Sequence, residues 1–180
     1  MTAPTLPLTG TWVLDQSHTH IGVTARHMMV TKVKGSFTEF SGTITIGESP
    51  DTSSVEVTID AASIETSAVD RNDHLRSPDF LDVENYPNIA FVSTGIEASG
   101  TSYRMTGDLT IKDLTKPIEL IMVYGGVSAD PWGNEKAMFS AEGTFVREDW
   151  DLGWNLALEA GGWLVSKEFK IEIEVQAAKA

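Results

Sequence analysis

Apolar and polar residues alternate at period two over most of this chain, the mark of β-strands with one buried face. In 20–27, Ile21, Val23 and Ala25 alternate with Gly22, Thr24 and Arg26, and in 42–46, Ile44 and Ile46 alternate with Thr43 and Thr45. The run 55–60 sets Val55, Val57 and Ile59 against Glu56, Thr58 and Asp60. The split is complete in 103–112, where Tyr103, Met105, Gly107, Leu109 and Ile111 oppose Arg104, Thr106, Asp108, Thr110 and Lys112. The last run sets Phe169, Ile171, Ile173 and Val175 against Lys170, Glu172, Glu174 and Gln176. Weaker runs at 89–94 and 136–147 offer Phe91, Phe139, Ala141, Gly143 and Phe145 as inward positions, and Phe37 joins the same face. In 118–124, Leu120 and Met122 point one way while Ile121 and Val123 are apolar on the other, so both faces call for cover by a loop, a helix or a second subunit.

Turn chemistry separates these runs at Gly47–Asp51, Ala98–Thr101 and Gly125–Gly133. One helix is predicted near 67–77, with Ser67 as its cap, Asp70 and Asp73 in its early turns and Pro78 as its stop. A second irregular segment, 148–165, is rich in Trp and Gly. About eight or nine strands without intervening helices predict an all-β, antiparallel fold, either an up-and-down barrel or a sandwich. No repeat, linker or low-complexity segment divides residues 1–180, so one domain is expected. The inward set is either a packed core or the lining of a cavity. Small inward residues, namely Ala25, Gly107, Ala141 and Gly143, tip the balance toward open space.

Composition narrows the function classes. Hydrophobic residues make up 41% and charged residues 22%, the profile of a globular protein. No segment approaches the roughly 18 consecutive apolar residues of a membrane span. With 26 acidic against 13 basic residues, the net charge of −13 opposes binding to nucleic acid and to anionic membrane surfaces. There is no Cys, hence no disulfide, thiolate metal site or catalytic thiol. The opening residues contain neither a basic group nor a long apolar run, so a cytoplasmic location is expected, or a periplasmic or secreted one if a signal has been removed.

Four histidines are the candidate chemistry: His18, His20, His27 and His74. His18 and His20 would share a strand face, a spacing open to metal, but His27 has the other parity and no helical His pair exists, so no metal is expected. The polar stretch Asp70 to Phe80 contains an Asp–His combination that could orient a base, or could simply close one end of the fold with a pinned helix. A hydrolase-type enzyme using His74 or His18 is therefore one rival reading, although no nucleophile elbow, phosphate loop or dinucleotide fingerprint is present. A filled barrel acting through its surface, or through dimer contacts at Ile121 and Val123, is another. Trp12, Trp132, Trp150, Trp154 and Trp163 are either core anchors or a rim around a cavity mouth.

Several segments together resemble the YceI-like family. They are Trp12 to His18, Val33 to Phe37, Phe40 to Gly42, Ala62 to Thr66, Arg71 to Val83, Tyr86 to Phe91 and Gly107 to Pro117. Two departures are Asp113, where the family usually has Gly, and Thr19, where it usually has Ser after the His. The resemblance implies an elongated, lipocalin-like barrel around a polyisoprenoid chain, often an isoprenoid quinone tail, for transport, storage or sensing. It also implies a homodimer as a common assembly, no catalysis and no cofactor beyond the bound lipid. Within such a barrel, strand parity makes Ile21, Val23, Phe37, Ile44, Ile46, Val57, Ile59, Phe91, Met105, Leu109, Ile111, Leu120, Met122, Phe139, Phe145, Ile171 and Ile173 the expected lining of the ligand site. His18, His20, Arg71 and His74 are the expected head-group or barrel-end residues.

Overall fold

A computed structural model describes Leu6, residues 9–156, residue 158 and residues 164–180. Trp163, one of the rim candidates, lies outside the described residues. The strands are β1 (Gly10–Leu14), β2 (His20–His27), β3 (Thr31–Phe37), β4 (Phe40–Ile46), β5 (Ser54–Asp60), β6 (Ile64–Glu65), β7 (Asn88–Ser99), β8 (Ser102–Ile111), β9 (Leu114–Ala129), β10 (Glu135–Val146) and β11 (Glu168–Lys179). Among the described residues there is one α-helix, α1 (Val69–Arg76), after β6.

All pairings are antiparallel, and β11 returns to pair with β1, which closes the sheet on itself. The first three walls are each bent. β1 continues as β2 after a 3-10 turn at Gln16–His18, β3 continues as β4 across Thr38 and Glu39, and β5 continues as β6 across Ala61–Ser63. The three bends lie side by side: Gln16 Nε2 donates to the Thr38 carbonyl, and the Thr38 and Asp60 amides donate to the carbonyls of Ser63 and Glu39. Counting each bent pair as one strand gives an eight-stranded, closed up-and-down barrel, which settles the choice against a sandwich.

Side-chain parity sorts the walls as the alternation predicts. In β9, Ile118, Leu120 and Met122 are buried while Glu119, Ile121 and Val123 are exposed. Near the N-terminal end of the barrel, Trp12 and Tyr103 are almost wholly buried in the core. At the other end lie the β2–β3 hairpin, α1, the β8–β9 turn and the long β10–β11 connection. The β8–β9 turn holds Lys112 and Asp113 at φ 53° and 62°. The left-handed backbone there explains why glycine is the easy residue, and Asp is among the side chains that tolerate it.

Three sequence expectations need correction and a fourth is narrowed. Ser67 does not cap α1: the N-cap is Ala68, with no side-chain cap bond. The turn is tied instead by Asn72 Oδ1, which accepts from the Thr66 amide at 2.7 Å and from Thr66 Oγ1 at 2.6 Å. Gly125 and Gly126 belong to β9, where a register shift opposite Met138 and Phe139 makes a bulge. The reversal comes only at Asp130–Asn134, where the Asp130 carboxylate accepts from the amides of Trp132 and Asn134. The outer side chains Ile121 and Val123 are 38% and 46% exposed, so among the described residues neither helix nor loop covers them, which leaves a second subunit of the three covers named. Finally, Gly107 and Gly143 leave no open space. A Cβ at Gly107 would fall 2.3 Å from Phe91, and one at Gly143 would fall 2.6 Å from the Glu119 carbonyl and 2.7 Å from Leu120, so neighbouring atoms already fill both places.

Candidate functional site

The inner face encloses a cavity of about 410 Å³ that runs from Leu6 and Ile46 near one end to α1 and Trp154 at the other. Every one of the lining residues expected from parity stands on its wall, from Ile21 and Val23 on β2 through Met105, Leu109 and Ile111 on β8 to Ile171 and Ile173 on β11. Ala25 and Ala141 also line it, so these two small residues do leave room. A hollow rather than filled interior follows. The volume falls within the roughly 300–1,000 Å³ typical of small-molecule pockets.

Polar groups on this wall are concentrated at the α1 end, where Arg26, His27, Thr66, Arg71 and His74 reach the lining. The dense polar motif in α1 does two jobs. Arg76 pins the helix to the barrel by donating to the Ala62 carbonyl at 2.8 Å and the Ile64 carbonyl at 3.0 Å. Arg71 faces the cavity and donates to Thr66 Oγ1 and Ser67 Oγ. Among the described residues no carboxylate lies within ion-pair distance of Arg71. His74 Nε2 lies 2.9 Å from Asp79 Oδ2, and its ring meets Trp154 at 4.5 Å and Phe80 at 5.2 Å, both edge-on. This aromatic clasp forms part of the cavity rim.

Arg147, which no sequence signal singled out, holds the rim from beneath. It is fully buried, and its guanidinium donates to the carbonyls of Ser166 at 2.7 Å, Trp154 at 3.1 Å, Val165 at 3.4 Å and Leu152. Burial pushes its pKa down from the ordinary arginine range, with nearby Glu148 acting the other way. It stays protonated, because arginine does not lose its proton in proteins. Five donors in a fixed fork suit a set of convergent carbonyls. Trp150 adds a second tie by donating from Nε1 to the Leu109 carbonyl at 2.9 Å. Of the tryptophans, Trp12 and Trp150 are core anchors, Trp154 is rim, and Trp132 is 84% exposed in the β9–β10 turn.

The other histidines divide differently from expectation. His18 and His20 are absent from the cavity wall, whereas His27 is on it. His18 Nδ1 lies 2.9 Å from Asp15 Oδ2 on the outside of the first bend, its side chain 61% exposed. Asp15 also accepts from Lys136 Nζ at 2.9 Å and Ser17 Oγ at 2.8 Å. Those bonds, Lys136 first, hold its carboxyl far below the usual carboxylate range, against a smaller opposing effect of burial. The His20 ring folds over Gly22 on the outer face: a Cβ there would meet its Nε2 at 2.7 Å. Among the described residues, no group of three or more His, Asp or Glu is placed to hold a metal.

A model of the YceI-like domain matches residues 12–177. The chain belongs to the YceI-like family. Over 143 residues it is 38% identical to a UPF0312 protein of Pectobacterium atrosepticum, covering 79% of this chain and 74% of that one. It is 36% identical over the same length to protein YceI of Escherichia coli O157:H7, covering 79% and 75%. Among solved structures, the YceI protein of Campylobacter jejuni superposes with a TM-score of 0.73 at 30% identity, covering 86% of this chain and 90% of that one. A polyisoprenoid-binding domain from Saccharophagus degradans shares the fold, with a TM-score of 0.69 at 11% identity over 96% and 100% of the two chains. The YceI-like barrel therefore extends over nearly the whole chain, with the rim motif Arg71 to Phe80 inside the matched region.

Proposed function

We propose that this YceI-like barrel binds a long apolar lipid, a polyisoprenoid or the tail of an isoprenoid quinone, and carries, stores or senses it. The observation that supports this most is the division of the cavity: an apolar wall along its length and polar side chains gathered at one end. Such a space excludes water along a chain and leaves a polar head at the rim. Each five-carbon isoprene unit, at about 0.8 kcal/mol per buried CH₂-sized group, brings at most roughly 4 kcal/mol. Three or four units offset the roughly 4–15 kcal/mol that association costs. The lipid-binding name of the Saccharophagus degradans neighbour points the same way, although its identity carries only the fold.

In this reading Arg71 and His74 meet the head group, while His18 and His20, on the outer wall, serve the first bend. The His74–Asp79 pair orients an imidazole at the rim and no catalysis is invoked: a wall of hydrocarbon side chains favours holding a chain over attacking it. The test is organic extraction of the purified protein followed by mass spectrometry, repeated after loading the stripped protein with an isoprenoid quinone. A stoichiometric isoprenoid in the extract, or saturable loading, supports the reading. A protein that takes up no isoprenoid under either condition contradicts it.

A further inference from the structure

Among the described residues, the β2–β3 hairpin carries the most exposed apolar group that also adjoins the cavity. Met28, Met29 and Val30 at its tip are 53%, 59% and 74% exposed. The first two sit at φ 51° and 68°, the left-handed backbone that turns of this kind usually give to Asn and Gly. Leu156, 54% exposed, continues the patch through the backbone: the Met28 amide donates to the Leu164 carbonyl, and the Leu164 amide donates to the Leu156 carbonyl. Beyond Thr24 on β2 and before Ser36 on β3, the hairpin has, among the described residues, no ladder partner other than itself and a single bridge from His27 to Val165. Ala25, His27 and Val33 on its inner side line the cavity. The tip and the cavity rim are thus two sides of one hairpin.

Charge is segregated there too. The chain carries 26 acidic residues, yet none falls in residues 16–38, its longest acid-free stretch, while Arg26, Lys32 and Lys34 flank the tip. Acidic residues sit on neighbouring elements at this end, with Asp70 and Asp73 on α1 and Glu148 and Asp149 after β10. Cations also stand at this end on α1 (Arg71 and Arg76) and in the β8–β9 turn (Lys112), but the hairpin carries its own with no acid in the same stretch of chain. Charges beyond a Debye length of about 8 Å are largely screened at physiological salt, so a surface touching the tip meets cations and methionines before it meets the acidic body.

We infer that the Met28–Val30 tip docks on a lipid bilayer containing anionic head groups, bringing the cavity rim to the membrane surface. Exposed apolar side chains enter the boundary between head groups and acyl chains, and the flanking Arg and Lys side chains meet the phosphates. The inference rests on the cavity being a lipid site only for its purpose, since docking itself is measurable without a ligand.

The test is co-sedimentation of the lipid-stripped full chain with phosphatidylcholine vesicles, with and without phosphatidylglycerol. Wild type is expected to partition onto the phosphatidylglycerol vesicles. The triple change Met28→Ser, Met29→Ser, Val30→Ser and the double change Lys32→Glu, Lys34→Glu are each expected to lower that partition about tenfold or more. Trp132→Ser, at an 84%-exposed tryptophan in the far-end turn, leaves it unchanged. Wild type that stays in the supernatant overturns the inference, as do hairpin variants that sediment like wild type. An Ala141→Trp protein, with its cavity filled, separates the two readings: sedimentation without isoprenoid uptake upholds docking, and failure to sediment overturns it.

Discussion

Two Asp–His pairs with the same 2.9 Å separation stand in this barrel, and only one of them belongs to the cavity. At the first bend, Asp15 gathers Lys136, Ser17 and His18 on the outside of the wall, so the pair closes a turn and ties it to β10. At the rim, His74 reaches Asp79 while its ring packs against Phe80 and Trp154 on the cavity's edge. Identical side-chain chemistry thus serves the fold in one place and borders the ligand space in the other. What separates them is which face of the barrel the backbone presents, not the residues in the pair.

Removing the support beneath the rim has the largest expected effect on that contrast. Arg147→Leu strands the carbonyls of Leu152, Trp154 and Ser166 and is expected to cost about 3 kcal/mol. The loss should be read as a lower denaturation midpoint and faster proteolysis within 148–166, with the Asp15 turn unaffected by hydrogen exchange. Wild-type protection of that segment would show that the carbonyls find other partners.

At the outer turn, Asp15→Asn is expected to cost about 1–2 kcal/mol at neutral pH while isoprenoid uptake stays unchanged. The sign with pH is fixed by the lowered carboxyl pKa. Asp15 contributes its stability fully above the ordinary Asp range near pH 4 and loses it as pH falls through its own, lower, folded value. The gap between wild type and Asp15→Asn should therefore be constant above about pH 5 and narrow below about pH 4. A gap that widens in acid would reverse the assignment.

The smallest expected change is at the rim pair. His74→Ala is expected to weaken binding of an isoprenoid with a polar head about fivefold, near 1 kcal/mol, and to leave a head-less hydrocarbon of equal length unaffected. Equal loss for both ligands would make His74 a packing residue only.

The inner face was readable from parity because each strand of a closed antiparallel barrel alternates cleanly between core and solvent. Met105, Leu109, Leu120 and Ile171 needed nothing more. The same rule, applied one step further, places His20 outward beside inward Ile21, and His27 inward with Ile21 and Val23. Hollow and packed interiors look alike in a pattern of alternation. The glycines misled because Phe91 and Leu120 reach across to fill the spaces at Gly107 and Gly143. Arg147 acts through the geometry of convergent carbonyls and Trp154 through ring contacts, so tertiary structure is needed to single out Arg147 and to choose rim over core for Trp154. The bends shared by three walls are equally silent in sequence, since they depend on a backbone bond from Thr38 to Ser63 and a side-chain bond from Gln16 to the Thr38 carbonyl.

Isoprenoid-quinone titration of stripped wild type, Met105→Glu, Ala141→Trp and Val123→Glu addresses the cavity most directly. Met105→Glu places an unpaired charge on the inner wall and Ala141→Trp fills the space without charge, which keeps the comparison valid if the first variant folds poorly. Val123→Glu puts the same charge on the exposed outer face of the neighbouring strand. Saturable uptake by wild type and Val123→Glu, with at least tenfold weaker uptake by both inner-wall variants, is the expected result. Equal uptake by all four proteins would contradict it and place the lipid outside the barrel.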